Sequence, residues 1–160
     1  MRHTMSCIVK NQPGVLEKLA HALGSRGLNI HSLSVNESDE DNLSRVTIVI
    51  DGEREQLASV AIDISELDVV AGVEDLDRSG YLDRELVLIK VKAQPEDLPR
   101  LMQILEVMHA TVIAMGHDNM TIEMSGTEEK ISGFIRLLKP FGILEYARSG
   151  RVAVSAGGAK

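Results

Sequence analysis

The chain of 160 residues carries a formal net charge of −7, and 44% of its residues are hydrophobic while only 2% are aromatic. This apolar fraction predicts a folded core rather than disorder. The acidic balance and the few aromatic side chains argue against nucleic acid as a partner.

The sequence indicates no segment for membrane insertion or secretion. The longest stretch without Asp, Glu, Lys or Arg, residues 107–117, is shorter than the roughly 20 apolar residues that cross a bilayer. The apolar run before Lys10 is too short for a secretory signal. The one cysteine, Cys7, cannot form an intramolecular disulfide, which fits the reducing cytoplasm. We therefore expect a cytoplasmic protein, and the lack of a membrane segment predicts no membrane partner.

The first half of the chain changes periodicity in a regular order. Alternating apolar residues predict a first strand that ends near Lys10. Pro13 is expected in the first turn of a helix that ends at Gly27. The remaining predicted elements are strands around 33–35 and 46–50, a helix around 57–64 and a strand at 68–77.

The second half repeats this order. A strand at 84–93 precedes a helix whose start lies between Pro95 and Pro99. A hairpin is expected around Asp118 and Asn119, followed by a helix with Thr127 as its N-cap and by a last strand.

Two successive β-α-β-β-α-β units of about eighty residues each predict an α+β protein with two tandem ferredoxin-like domains. We expect a first domain at 1–77, a linker at 78–83, and a second domain at 84–160 that ends in the short flexible tail "SAGGAK". Antiparallel sheets with uncovered edges or faces also predict self-association.

Catalytic and metal-binding patterns are weak throughout the sequence. The five histidines lack the close spacing of metal ligands, and a single cysteine adds no cluster. The acidic stretch 37–41 lacks the pattern of a calcium loop and is expected at a solvated hairpin turn. We therefore expect neither a catalytic residue nor a metal site in this chain.

The strongest candidate for a ligand site lies between residues 11 and 30. The first N–H groups of the helix have no intrahelical partners and attract a carboxylate, and Gly14 lets a ligand approach the backbone. Side-chain carbonyls of Asn11 and Asn29 are suited to accept from an ammonium group.

Apolar side chains nearby would complete a site for a free aliphatic amino acid. Val15, Leu16 and Ile30 are the candidates to face its side chain. A purely structural interpretation carries about equal weight on pattern alone. In it, Asn11 caps the start of the helix, and Gly27 with Asn29 ends it.

Longer motifs favour the ligand site. Four segments resemble, in this order along the chain, the small regulatory subunit of acetolactate synthase, also called acetohydroxyacid synthase. They are "NQPGVLEKLAHALGSRGLNIHSLSV", "NLSRVTIVI", "DRELVLIKVKA" and "EYARSGRVAV". The N-terminal part is similar to ACT domains. The resemblance covers nearly the whole chain, although "HATVIAMGHDNM" carries no diagnostic motif.

This resemblance implies a non-catalytic subunit of branched-chain amino acid biosynthesis that activates a catalytic subunit and confers feedback inhibition, commonly by valine. It implies no cofactor in this chain and a catalytic partner that carries thiamine diphosphate, Mg²⁺ and usually FAD. That partner makes 2-acetolactate from pyruvate, or 2-aceto-2-hydroxybutyrate from pyruvate and 2-oxobutyrate.

The resemblance also implies a homodimer through the ACT domains, with the effector between two chains. Asn11, Gly14 and Val15 would come from one chain, and Asn29 and Ile30 from its neighbour. The alternatives are a free-standing ACT-type amino-acid sensor that regulates another enzyme or transcription, and an autonomous enzyme on a ferredoxin-like scaffold.

Overall fold

The chain folds into two α+β units, and a computed structural model describes residues 2–157. One unit contains the described residues up to Leu82 together with those from Arg151 onward. The other unit contains Asp83–Gly150.

The elements follow the repeated order expected from the sequence. The first unit contains, in chain order, β1 (Arg2–Lys10), α1 (Val15–Ser25), β2 (Ile30–Glu37), β3 (Leu43–Asp51), α2 (Arg54–Ser65), β4 (Val70–Asp75) and the short α3 (Leu76–Ser79). There follow β5 (Tyr81–Lys92), α4 (Leu98–Met108), β6 (Thr111–Met115), β7 (Asn119–Gly126), α5 (Glu128–Leu138), a 3₁₀ turn (Lys139–Phe141), β8 (Ile143–Arg148) and β9 (Val152–Ser155).

Both units contain an antiparallel sheet with the same strand arrangement. The first sheet has the order β2-β3-β1-β4, and the second has the order β6-β7-β5-β8, with β9 paired to β5. In each repeat the first and third strands are central and the second and fourth lie at the edges. The predicted α+β fold of two β-α-β-β-α-β repeats is therefore confirmed.

Each sheet buries one face against its two long helices, because alternate residues of a strand share a face and helix residues three or four apart share a stripe. Fully burying one large aliphatic side chain contributes about 1.5–3 kcal/mol. The first core includes Met5, Cys7, Val9, Leu19, Leu23, Ile48, Ile50, Val60 and Ile64. The second includes Val87, Ile89, Val91, Leu101, Met120, Ile122, Phe134 and Leu138.

By its contacts the segment from Arg151 onward groups with the first unit, whereas the predicted second domain runs from 84 to 160. Arg151 is buried, its backbone N–H donates to Ser32 Oγ at 2.8 Å, and its guanidinium donates to Thr4 Oγ1 at 2.7 Å. These hydrogen bonds join residues more than one hundred positions apart. Local periodicity carries no signal for such contacts.

The predicted flexible tail is partly structured. Ser155 is the last residue of β9, and the Ala156 N–H donates to the Gly80 carbonyl at 3.0 Å. Residues 158–160 of the predicted tail lie outside the described residues.

The predicted linker 78–83 is occupied by regular elements. Asp75 caps α3 by accepting from the Asp77 N–H at 3.2 Å, and β5 begins at Tyr81. A single helical turn is too short to produce an apolar period, so the sequence pattern missed it.

Two helices begin later than predicted. Gly14 has φ +86°, which no helical residue adopts, so α1 begins at Val15 and Pro13 lies in the preceding turn. In the second unit, α4 begins at Leu98, and Pro99 occupies the second helical position, where its missing N–H leaves no hydrogen bond broken.

Within residues 2–157, no helix is long and apolar enough to cross a membrane.

Candidate functional site

The start of α1 presents its first backbone N–H groups without a side-chain cap. Gly14 is the N-cap residue, and among the described residues no side chain forms a capping hydrogen bond at this helix start. A Cβ added at Gly14 would meet nothing within 4 Å, so the backbone of this turn is open to approach. The positive end of the helix dipole and the N–H groups of Val15 and Leu16 together favour a carboxylate at this position.

Asn11 lies beside this helix start and does not cap it, which removes one part of the structural interpretation. Its Nδ2 donates to Glu37 Oε1 at 3.1 Å, and its backbone N–H donates to the Asn42 carbonyl at 2.7 Å. Among the described residues, no donor reaches its Oδ1. The amide is thus held by Glu37 while its carbonyl oxygen stays available as an acceptor.

Glu37 is a residue that the sequence reasoning missed. It was assigned to a solvated acidic turn, but it is the last residue of β2 and contacts Asn11. An exposed carboxylate beside an amide oxygen is a suitable environment for an ammonium group. Only the pairing of β2 with the rest of the sheet could have revealed this contact.

Val15 and Leu16 point in different directions, because successive helix residues are rotated by about 100°. Val15 is 4% exposed and packs in the helix–sheet core, so its side chain cannot face a surface ligand as predicted. It can contribute its N–H alone. Leu16 is 44% exposed and remains available for an apolar contact.

The other end of α1 shows that Gly27 has a structural role and that Asn29 does not. Gly27 has φ +70° and its N–H donates to the Gly24 carbonyl at 2.9 Å, while the Leu28 N–H donates to the Leu23 carbonyl at 3.1 Å. These two bonds form a Schellman motif. Among the described residues, the exposed side chain of Asn29 makes no hydrogen bond.

The candidate residues form two groups at opposite ends of the first sheet. Asn11 follows Lys10, which pairs with Leu43 of β3, whereas Ile30 pairs with Ile50 at the far end of β3. Seven residues of extended strand separate those ends by roughly 23 Å. A single chain therefore brings Asn11 together with the start of α1, but it does not bring Asn29 to them.

A shallow groove runs along α1 from its start. It has a volume of about 400 Å³ and is lined by Gly14, Glu17, Lys18, His21, Ala22 and Leu67. Lys18 Nζ donates to Asp68 Oδ1 at 2.6 Å, and this hydrogen bond holds the pKa of Asp68 below its ordinary 3.8. The Lys18 ammonium is thus directed towards its own chain.

Comparison with known proteins also divides the chain into an N-terminal and a C-terminal part, and it places residues 151–157 in the C-terminal match. Residues 5–71 match the family model of the ACT domain of acetohydroxyacid synthase small subunits, and residues 84–157 match that of the small subunit of acetolactate synthase. An acetolactate synthase small subunit of Mycolicibacterium smegmatis is 35% identical over 97% of this chain and 91% of its own. One from Aquifex aeolicus is 38% identical over 96% of this chain and 80% of its own.

This chain belongs to the acetolactate synthase small subunits. The crystal structure of an acetolactate synthase small subunit from Thermotoga maritima agrees with it at a TM-score of 0.89, with 32% identity over 99% of both chains. The resemblance seen in the sequence motifs and the assignment of an ACT domain are confirmed. An acetolactate synthase small subunit has a regulatory role and implies a catalytic large subunit as its partner.

Proposed function

We propose that this acetolactate synthase small subunit activates its catalytic subunit and makes it sensitive to feedback inhibition by valine or a related branched-chain amino acid. The catalytic partner would carry thiamine diphosphate, Mg²⁺ and usually FAD, and this chain would carry no cofactor. The proposal includes a homodimer through the ACT domains, with one effector held between two chains.

The arrangement of β2 supports this dimer. β2 is an edge strand, and Leu33 and Val35 on its helix-facing side are 38% and 39% exposed. A second β2 paired to this edge in antiparallel orientation would cover both side chains and satisfy the open backbone groups. We therefore place the twofold axis beside β2.

This pairing would also unite the two groups of candidate residues. Antiparallel strands place the start of one beside the end of the other, so Asn29 of one chain would lie near Glu37 of its neighbour. Asn11 contacts that Glu37 in its own chain. The contact between Asn11 and Glu37, combined with the roughly 23 Å between Asn11 and Asn29 in one chain, is the observation that carries the proposal.

The chemistry of the combined site suits a free amino acid. The first N–H groups of α1 would bind the carboxylate, and the carbonyl oxygens of Asn11 and Asn29 would accept from the ammonium group with Glu37 nearby. Leu16 and Ile30 would contact the aliphatic side chain.

The test is pyruvate condensation by the cognate catalytic subunit, measured with and without this chain across a valine titration. Activation followed by inhibition as valine rises is the expected result. Activation without inhibition would retain the partner and reject valine as effector, and isoleucine and leucine would then be titrated in the same assay. A catalytic rate that this chain leaves unchanged would contradict the regulatory role and favour a free-standing amino-acid sensor.

A further inference from the structure

A set of possible metal ligands lies in the first unit, away from the candidate effector residues. His3 lies in β1, Asp75 ends β4 and Asp77 lies in α3. Because Asp75 pairs with Met5 of β1, the three side chains converge at one end of the sheet. His3 Nδ1 lies 3.6 Å from Asp75 Oδ1 and 3.2 Å from Asp77 Oδ2.

The ring nitrogen of His3 that faces the carboxylates is buried and has no hydrogen-bond partner. Only 12% of the His3 side chain is exposed. Buried polar atoms are usually hydrogen-bonded, yet this nitrogen faces two carboxylate oxygens without forming a hydrogen bond to either, an arrangement suited to a ligand shared by all three groups. This orphaned atom distinguishes the set from a chance group of surface acids.

Backbone donors already orient both carboxylates. The Thr4 N–H donates to Asp77 Oδ2 at 2.6 Å, and the Asp77 N–H donates to Asp75 Oδ1 at 3.2 Å. Outer hydrogen bonds of this kind fix the direction of metal ligands and reduce the ordering needed when a cation binds.

We propose that His3, Asp75 and Asp77 bind a divalent transition-metal ion of the zinc class. Bonds of about 2.0–2.2 Å in a tetrahedral site place neighbouring ligand atoms about 3.3–3.6 Å apart. The observed separations of 3.2 and 3.6 Å from Nδ1 bracket this spacing, and all three ligand atoms lie within 4.8 Å of one another. Imidazole nitrogen and carboxylate oxygen are both ligands of zinc, and the two negative charges balance the cation.

The fourth coordination position would face a cavity. A volume of about 550 Å³ is lined by His3, Asp75 and Arg78, and Ser65 with apolar side chains of α2 and β4 forms the rest of its wall. A metal with three protein ligands keeps a position for water or another exchangeable ligand. The positive charge of Arg78 favours an anion there, so the site would take a small carboxylate or phosphate as the fourth ligand.

The test uses the full chain after removal of metal with EDTA, and Zn²⁺ and Co²⁺ as probes. Isothermal titration with Zn²⁺ should show one saturable site per chain. Co²⁺ should give the intense visible absorption of a four-coordinate ion. Binding of neither ion at one per chain would overturn the proposal.

Two conservative variants test the ligands without disturbing the fold. Asp77→Asn keeps an oxygen that can accept from the Thr4 N–H, and Asp75→Asn keeps the cap of α3, since asparagine is an equally good N-cap. Each substitution should raise the dissociation constant for Zn²⁺ by about tenfold or more and reduce the visible absorption of bound Co²⁺. Zn²⁺ affinity unchanged in both variants would also overturn the proposal.

The matched control is Asp51→Asn. Asp51 contacts His31 in the same unit, and this pair is not part of any group of three such ligands among the described residues. Its removal should leave Zn²⁺ affinity unchanged. If Asp51→Asn weakens binding as much as Asp77→Asn, the ion binds elsewhere and the assignment fails. The readouts do not involve acetolactate synthase activity, so they stand apart from the proposed regulatory function.

Discussion

The first helices of the two repeats start in chemically opposite ways. Before α1 stands Gly14, with no side chain over the free N–H groups. Before α4 stands Asp97, whose carboxylate repels an anion, and Pro99 at the second helical position lacks an N–H. The start of α1 is thus suited to an anion, and the corresponding start of α4 is not.

The two helices end alike. In α4, His109 has φ +56°, and the Ala110 N–H donates to the Leu105 carbonyl at 2.9 Å, as the Leu28 N–H does to Leu23 after α1. The residue after this motif is Asn29 in the first unit and Thr111 in the second. The two repeats therefore share the backbone turn and differ in the side chains around it, which favours the first unit as the place of the proposed effector site.

The largest expected effect comes from Asn29→Ala. Bound effector at a hundred times its dissociation constant should add about 2.7 kcal/mol to native stability. Because the Asn29 side chain is exposed and makes no hydrogen bond among the described residues, the variant should fold normally and lose both this stabilisation and valine inhibition.

Thermal unfolding with and without valine measures this loss. Gln103→Ala, which removes an exposed amide from α4, is the matched control and should keep the full shift. A valine-dependent shift that persists in Asn29→Ala would show that the cross-dimer site is misplaced.

Leu16→Pro converts the start of α1 to the pattern of α4. Position 16 is the second helical residue, as Pro99 is in α4, so the fold should tolerate proline there. Removing an N–H that would bind a carboxylate should cost about 1.5 kcal/mol, or roughly tenfold in valine affinity. Calorimetric titration measures this change, and Leu16→Ala separates it from the loss of the apolar side chain. Equal affinities for the two variants would mean that the N–H is not a ligand.

Cys7 lies in the first core, and its thiol should make the stability of that core depend on pH. Burial raises the pKa of the Cys7 thiol from its ordinary 9.0 to about 12. The folded state then holds a proton that the unfolded state releases, so this stability is complete below pH 9 and is lost as the pH rises towards 12.

The loss should reach about 1.4 kcal/mol per pH unit in that range. Urea unfolding between pH 8.5 and about 10.5 measures it, and the difference between the native chain and Cys7→Val isolates the thiol from lysines and tyrosines. Parallel pH profiles for the two proteins would contradict the assignment.

Two glycine substitutions in the same region should have effects of opposite sign. Gly14→Ala places a side chain at φ +86° and should destabilise the fold by about 1 kcal/mol. Gly24 lies within α1, and an added Cβ there meets nothing within 4 Å, so Gly24→Ala should stabilise the fold by about 0.5–1 kcal/mol. Denaturant midpoints measure the stability of the two variants. If both substitutions changed stability in the same direction, the start of α1 would not be constrained as described.

Local patterns predicted the repeated fold well, because each element carries its own period. Alternation along β1 and the cap at Thr127, which accepts from the Lys130 N–H at 3.4 Å, depend on neighbours in sequence. The direction of Val15 was harder to predict, since one residue of uncertainty in a helix start rotates a side chain by about 100°. The sequence therefore located the backbone of the candidate site better than its apolar wall.

Contacts between distant segments could not be predicted. Asn11 meets Glu37 only because β2 returns along β3, and His3 meets Asp77 only because β4 pairs with β1. The spacing of histidines in the sequence therefore held no sign of the proposed metal site. Sheet register, rather than local propensity, decides which polar groups become neighbours.

The return of Arg151 to the first unit has a consequence for biogenesis. Residues 83–150 are synthesised between the two parts of that unit, so the contacts of Arg151 with Ser32 and Thr4 cannot form while the second unit is still being translated. Translation at about 5–20 residues per second takes several seconds over this stretch, and Ser32 and Thr4 lack these hydrogen bonds to Arg151 during that time. The second unit is complete only when Gly150 has been added, so its folding and the last contacts of the first unit become possible at nearly the same time.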